Sequence, residues 1–138
     1  MSALRGFRRP AVWVLLWAAM IAAVTTGSLL PAQDVPRFPL PGGDKLQHAI
    51  GYAWLASGAV MLFATARARA VAAVGLWLLG GAIELAQGAL TASRAADPWD
   101  LLANAAGILA GLPLARTRLA TWWLRLDQRW FRAAANPL

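Results

Sequence analysis

Three polar strings interrupt an otherwise apolar chain: Asp44-Lys45-x-x-His48-x-x-x-Tyr52, Glu84-x-x-Gln87, and Arg94-x-x-Asp97-x-x-Asp100-x-x-x-Asn104-x-x-Gly107-x-x-x-Gly111. They supply what acid–base chemistry needs: an imidazole, carboxylates whose proton affinities surroundings can push apart, and cations that can hold an anion. His48, Glu84 and Asp100 are the candidates for catalysis. Asp44, Lys45, Tyr52, Gln87, Arg94, Asp97 and Asn104 are the candidates for ligand binding, with Lys45 and Arg94 suited to a phosphate or carboxylate. A divalent ion on His48, Asp44, Glu84 and Asp100 fits the ligand types, but two neighbouring cations argue against it, and no metal or cofactor is expected. The plainer account of the same residues is a structural ion-pair network. In it Lys45 and Arg94 neutralise carboxylates, His48 is a hydrogen-bonded imidazole, Tyr52 is core and Asn104 is an inter-helix donor.

Helical spacing says which of these groups can share a face. Asp44, His48 and Tyr52 lie four apart, and Asp97, Asp100, Asn104, Gly107 and Gly111 advance by three and four, so each set forms one stripe. The inner half of the second stripe is a Gly-x-x-x-Gly ridge, which lets another backbone come close, and the Gly80-Gly81 pair one turn before Glu84 is the expected receiver. That packing would draw Glu84 towards Asn104 and Asp100.

The elements that must carry these stripes are membrane helices. Of 138 residues, 59% are hydrophobic and 14% charged, too apolar for an ordinary soluble domain. Windows at 11–30, 46–65, 70–90 and 98–115 are long enough to cross a hydrocarbon core of ~30 Å. The expected fold is all-α: one polytopic domain over 1–138, a four-helix transmembrane bundle followed by an amphipathic interfacial helix over about 116–134. A cleaved signal peptide is not expected, since the first apolar run continues for 20 residues, with Trp13 and Trp17 inside it. Glu84 would sit about 9 Å below Leu90 on a regular helix, within hydrocarbon depth. A charge at the membrane centre costs roughly 2.5 to 3.5 kcal/mol, so Glu84 must be paired, hydrated or protonated. The chain has no Cys, which removes disulfides, thiol nucleophiles and thiolate metal sites.

The net charge of +7 would suggest nucleic acid in a soluble protein, but its distribution is a membrane-flanking pattern, which excludes nucleic acid as a main partner. Ten of the thirteen basic residues (Arg5, Arg8, Arg9, Arg67, Arg69, Arg116, Arg118, Arg125, Arg129 and Arg132) fall on one side of the four spans, with the single acid Asp127. Basic flanks mark the cytoplasmic side, so both termini are expected there and the three polar strings at the outer face. On a regular helix Arg118, Arg125, Arg129 and Arg132 form one stripe of the tail, beside Leu119, Trp123, Leu126 and Trp130. That pattern suits docking on an anionic leaflet, and membrane lipids are the expected partner. The loop 31–43 holds four prolines and ends in Gly42-Gly43, so it should be extended and deliver Asp44 to the mouth of the second span.

The ordered set of motifs from Asp44 to Gly111, about half of the chain, resembles the VanZ-like family, named for a teicoplanin-resistance protein. The first span and the tail resemble that family only in hydropathy and placement. The resemblance implies a multi-pass protein of the bacterial cytoplasmic membrane and cell envelope, linked in some members to glycopeptide resistance. It carries over no reaction. Together the residues and the resemblance lead to an outer-facing pocket that binds, and in the sharper form acts on, an anionic lipid-linked cell-wall precursor or other wall-directed ligand. The alternative is a non-catalytic scaffold or regulator. Oligomeric state is not legible.

Overall fold

The computed structural model describes residues 2–30, 39–90 and 97–132. Every named element among them is helical: α1 (Pro10–Leu29), α2 (Gly43–Leu62), α3 (Ala66–Leu90), α4 (Pro98–Gly111) and α5 (Trp122–Trp130). Two short 3-10 helices, Leu112–Arg116 and Arg118–Thr121, join the last two.

The starts of these helices are written locally. Pro10 and Pro98 take first-turn positions, where a missing amide costs nothing. Asp97 caps α4 by accepting from the Trp99 amide at 2.9 Å, and the Thr65 hydroxyl accepts from the Ala68 amide at 3.1 Å at the start of α3. Gly42 enters α2 at φ 73°, a left-handed conformation that favours glycine.

Two of the helices, Pro10–Leu29 and Ala66–Ala89, are long and apolar enough to cross a membrane. The other two expected spans do not reach that mark, for different reasons. α2 matches α1 in length, but Asp44, Lys45, Gln47 and His48 crowd its first turns. α4 is regular for only 14 residues, about 21 Å, before tightening at Leu112-Pro113.

α2 is the central element. It packs most extensively against α4 and also meets α1, α3 and α5, and it buries Tyr52, Leu55, Ala56, Ala59, Val60 and Leu62. The Gly107 and Gly111 ridge of α4 lies on this helix. A Cβ at Gly107 would collide with the Ala49 carbonyl, and one at Gly111 would stand 2.6 Å from the Ala53 oxygen. The expected receiver, Gly80-Gly81 on α3, is therefore corrected: the ridge faces α2. Gly80 instead accommodates side chains, with Asn104 Nδ2 2.7 Å and the Tyr52 hydroxyl 3.0 Å from where its Cβ would lie. Gly81 is loosely packed, Leu101 being 3.9 Å away on the same measure. On the opposite face of α2, Gly58 seats Trp17 and Met20 of α1, and the Trp17 indole donates to the Leu55 carbonyl at 3.0 Å.

The N-terminal segment clasps the far end of α2. Leu4 pairs with Phe63 in an isolated β-bridge, and the Arg5 guanidinium donates to the Val60 carbonyl at 3.0 and 3.3 Å. Those bonds, with the Arg5 amide to Leu62 at 3.1 Å, occupy carbonyls that a helix end leaves open.

The tail departs from one continuous amphipathic helix. Pro113 lacks an amide, and the Thr117 and Thr121 hydroxyls turn back to the Leu114 and Arg118 carbonyls at 2.9 and 3.3 Å, so regular helix begins only at Trp122. Trp123 is buried while Trp122, Trp130 and Leu119 are exposed, so the apolar stripe read over Leu119, Trp123, Leu126 and Trp130 splits between the bundle and the outside. Asp127 is fully buried. It accepts from the Arg8 amide at 2.5 Å, the Arg9 amide at 3.1 Å and the Trp13 indole at 2.8 Å. A carboxylate from the last helix thus caps the first, where helix-dipole charge favours an anion. Burial opposes its ionisation, but the donors from Arg8, Trp13 and Arg9 outweigh it and hold Asp127 below its ordinary value. Trp13 also stacks on Phe7, Trp123 and Trp130 at centroid distances of 5.7, 5.6 and 6.1 Å.

Candidate functional site

The opposite end of the bundle, where α2 and α4 begin and α3 approaches its end, gathers the polar strings. Lys45 occupies its mouth. Its ammonium lies 2.9 Å from Asp44 Oδ2, 2.8 Å from Asp97 Oδ2 and 3.3 Å from Asp100 Oδ1. The hydrogen bond from Lys45 holds both Asp97 and Asp44 below the ordinary carboxylate range, and those two carboxylates in turn raise Lys45 well above its own. These three groups lie outside the expected spans at 46–65 and 98–115.

One turn deeper stands His48. Its Nδ1 is 3.0 Å from Asn104 Oδ1 and 3.9 Å from Glu84 Oε1, and its Nε2 is 3.5 Å from Asp100 Oδ2. Glu84 uses its other oxygen, Oε2, to accept the Asp97 amide at 3.2 Å. That bond ties α3 to the residue that caps α4. The expected approach of Glu84 to Asn104 and Asp100 is thus made through His48, which stands beside all three. Glu84 Oε1 and the Tyr52 hydroxyl, both buried, meet no hydrogen-bond partner among the described residues.

Exposure falls steadily inward. The side chain of Asp44 is 57% exposed, Lys45 and Asp97 are each 35% exposed, and Asp100, His48 and Glu84 are 13%, 11% and 7% exposed. The cluster is a funnel: wet carboxylates and an ammonium outside, and an imidazole with two carboxylates within. Among the described residues, three carboxylates surround the one lysine and a fourth, that of Glu84, stands beside His48.

The remaining candidates are placed differently. Gln87 is buried and donates to the Ser28 carbonyl at 2.6 Å, joining α3 to the end of α1. Tyr52 is core, packed against Gly80. Arg94 lies outside the described residues. Sequence reasoning missed Asp127 as a structural centre, although one signal was present: it is a lone acid in a run of arginines, and a lone acid there needs a reason. It also missed a groove of about 560 Å³ at the other end of the bundle, lined by Ala3, Trp17, Phe63, Thr65, Arg67 and Val71 among others. That groove shares no residue with the polar cluster.

Two triads bring ligand-type atoms within 4.8 Å of one another, His48 with Glu84 and Asp100, and Asp44 with Asp97 and Asp100. The second surrounds the Lys45 ammonium. Chemically, the inner triad can pass a proton between an imidazole and a carboxylate, and the outer one fixes the geometry of the mouth.

No family model, curated protein or solved structure matches the chain.

Proposed function

We propose that the chain is a VanZ-like membrane protein of the bacterial cell envelope, in which α1 to α4 cross the cytoplasmic membrane and the funnel opens on the outer face. Both termini would then be cytoplasmic. The support for four crossings is what the helices show outward. α1 carries no charged residue, and only 11% of its apolar window is buried. α2 exposes Leu46, Ile50 and Trp54 at every fourth position, α3 exposes Val71, Val74, Leu78 and Leu85, and α4 exposes Leu102 and Leu109. Contiguous apolar surface of this kind on every helix of a small bundle suits lipid contact and not water. α2 and α4 thus carry an apolar outside despite their polar starts. The basic N-terminal segment, the α2–α3 link and the tail share one end, and the acidic funnel has the other, as the charge rule for membrane orientation requires.

The function this supports is binding of an anionic lipid-linked or wall-directed ligand at the funnel, with His48, Glu84 and Asp100 as its acid–base centre. One observation carries it. The cluster is graded from open to closed and ends on a buried carboxylate oxygen that has no hydrogen-bond partner among the described residues, where a purely structural knot would be expected to satisfy it. A link to glycopeptide resistance follows from the family resemblance and not from the geometry. The scaffold reading draws on a different observation, the engagement of Lys45 by three carboxylates, which leaves its donors already used. Lipid analysis of the purified protein separates the two. A lipid class enriched on the parent and depleted on Glu84→Gln supports a ligand site, and identical lipid profiles support the scaffold.

A further inference from the structure

The inner triad has a surplus of acceptors. Asn104 Oδ1 can only accept, so in the 3.0 Å contact His48 Nδ1 is the donor, while Nε2 stands 3.5 Å from Asp100 Oδ2, and an imidazole has at most two N–H groups for the acceptors around it. Glu84 adds a third acceptor: Oε1 lies 3.9 Å from Nδ1, has no hydrogen-bond partner among the described residues, and belongs to a residue that is 6% exposed. One atom each from His48, Glu84 and Asp100 lies within 4.8 Å of the others. A cation coordinated at ~2.0 to 2.2 Å by nitrogen and oxygen would satisfy all three once the side chains draw together around it.

We propose that His48, Glu84 and Asp100 form the binding site for one divalent transition-metal ion, of the zinc or manganese kind, with Asn104 as the residue that orients the imidazole. One nitrogen and two carboxylate oxygens are the donor set that suits such borderline ions. A metal-binding imidazole typically donates its other N–H to an oxygen, the arrangement seen between His48 Nδ1 and Asn104. The objection from Lys45 weakens on the geometry. Lys45 is held at the mouth by Asp44 and Asp97 and reaches Asp100 through Oδ1, leaving Oδ2 for the imidazole side. Three protein ligands also leave coordination open, which is how metal sites that handle a further ligand are built. Such an ion would give an anionic headgroup a positive contact in a funnel where, among the described residues, carboxylates outnumber the one lysine. The site deepens the functional reading above and rests on it only for the identity of that further ligand.

The test uses full-length, tag-free protein in detergent, stripped with a chelator and then titrated with Zn²⁺ or Mn²⁺ alone. Binding is read by calorimetry, by metal content after desalting, and by the Mn²⁺ paramagnetic resonance signal. The parent should take up one equivalent of at least one of the two ions. Asn104→Ala should weaken binding by about 10- to 100-fold, and His48→Ala and Glu84→Gln by at least as much. Arg125→Ala, on the exposed tail, should bind as the parent does. Helicity and melting temperature of each variant are measured alongside, and Glu84→Gln, the closest in shape, decides the matter if His48→Ala fails to fold. A stripped parent that takes up neither ion stoichiometrically, or a folded Glu84→Gln that binds as tightly as the parent, overturns the site. Loss of the lipid ligand with ion binding intact would overturn the functional reading and leave the metal site standing.

Discussion

Glu84 Oε2 accepts the backbone amide of Asp97 at 3.2 Å, so a side chain from α3 holds the residue that caps α4. The same carboxylate offers Oε1 to His48 from 3.9 Å. Glu84 is therefore divided, one oxygen for architecture and one for the site.

This division predicts different fates for two substitutions. Glu84→Gln retains a carbonyl oxygen for the Asp97 amide and removes a buried charge, so its melting temperature should equal or exceed that of the parent, while ligand binding and any envelope phenotype are lost. Glu84→Ala strands the Asp97 amide and should cost about 1–3 kcal/mol. His48→Ala and Arg94→Ala should share the functional defect of Glu84→Gln. Full activity in all three would reduce the cluster to architecture.

The glycine ridge predicts opposite signs within one residue type. Gly107→Ala sets a methyl group against the Ala49 carbonyl and should destabilise by about 1–3 kcal/mol, because two backbones would have to part. Gly81→Ala meets nothing closer than Leu101 Cδ1 at 3.9 Å and should be neutral or stabilising by up to about 1 kcal/mol. Thermal unfolding in detergent reads both. A Gly107→Ala variant as stable as the parent would show that the α2–α4 contact is not as close as described.

Asp127 predicts a pH dependence. Its folded-state value lies below the ordinary 3.8, so the stability it contributes is fully present above that pH and is lost as pH falls from there through the folded value. Asp127→Asn should cost about 1.5–3 kcal/mol near neutral pH, through weakened bonds from Arg8, Arg9 and Trp13, and should flatten the acid limb of a stability profile. An unchanged acid limb would remove Asp127 from the linkage.

Membrane orientation is open to direct measurement. Reporters fused between Arg67 and Arg69, or after Leu138, should read cytoplasmic, and one fused near Gly42 should read external. An external C-terminus would place the funnel on the cytoplasmic side.

Spacing exposed the faces of the helices but not their neighbours. Asp100, Asn104, Gly107 and Gly111 are the buried side of α4, as a three-and-four advance implies, and His48 and Tyr52 point inward from α2. That the ridge meets Ala49 and Ala53 of α2, and not Gly80-Gly81, depends on how helices are arranged around one another, which periodicity does not encode. Hydropathy found α1 and α3 without ambiguity. It stretched α4 past Gly111 because Leu112-Pro113-Leu114 reads as apolar, while the end of the regular helix is set by backbone hydrogen bonding. Asp127 was hidden for another reason: its partners are two backbone amides and an indole more than a hundred positions away, and amides leave no trace in residue type.

The closure of Asp127 over the start of α1 has a consequence for how the protein is made. Arg8 and Arg9 leave the ribosome well before the carboxylate that receives their amides, which is 119 and 118 residues further along the chain. Until α5 emerges, the amides at the head of α1 and the Trp13 ring must be met by water or headgroups, so the first helix is expected to insert before it is anchored. α5 then acts as a latch. A nascent chain halted before Trp122 should still integrate α1 yet remain sensitive to protease at its N-terminal segment, and release of the last helix should close that window.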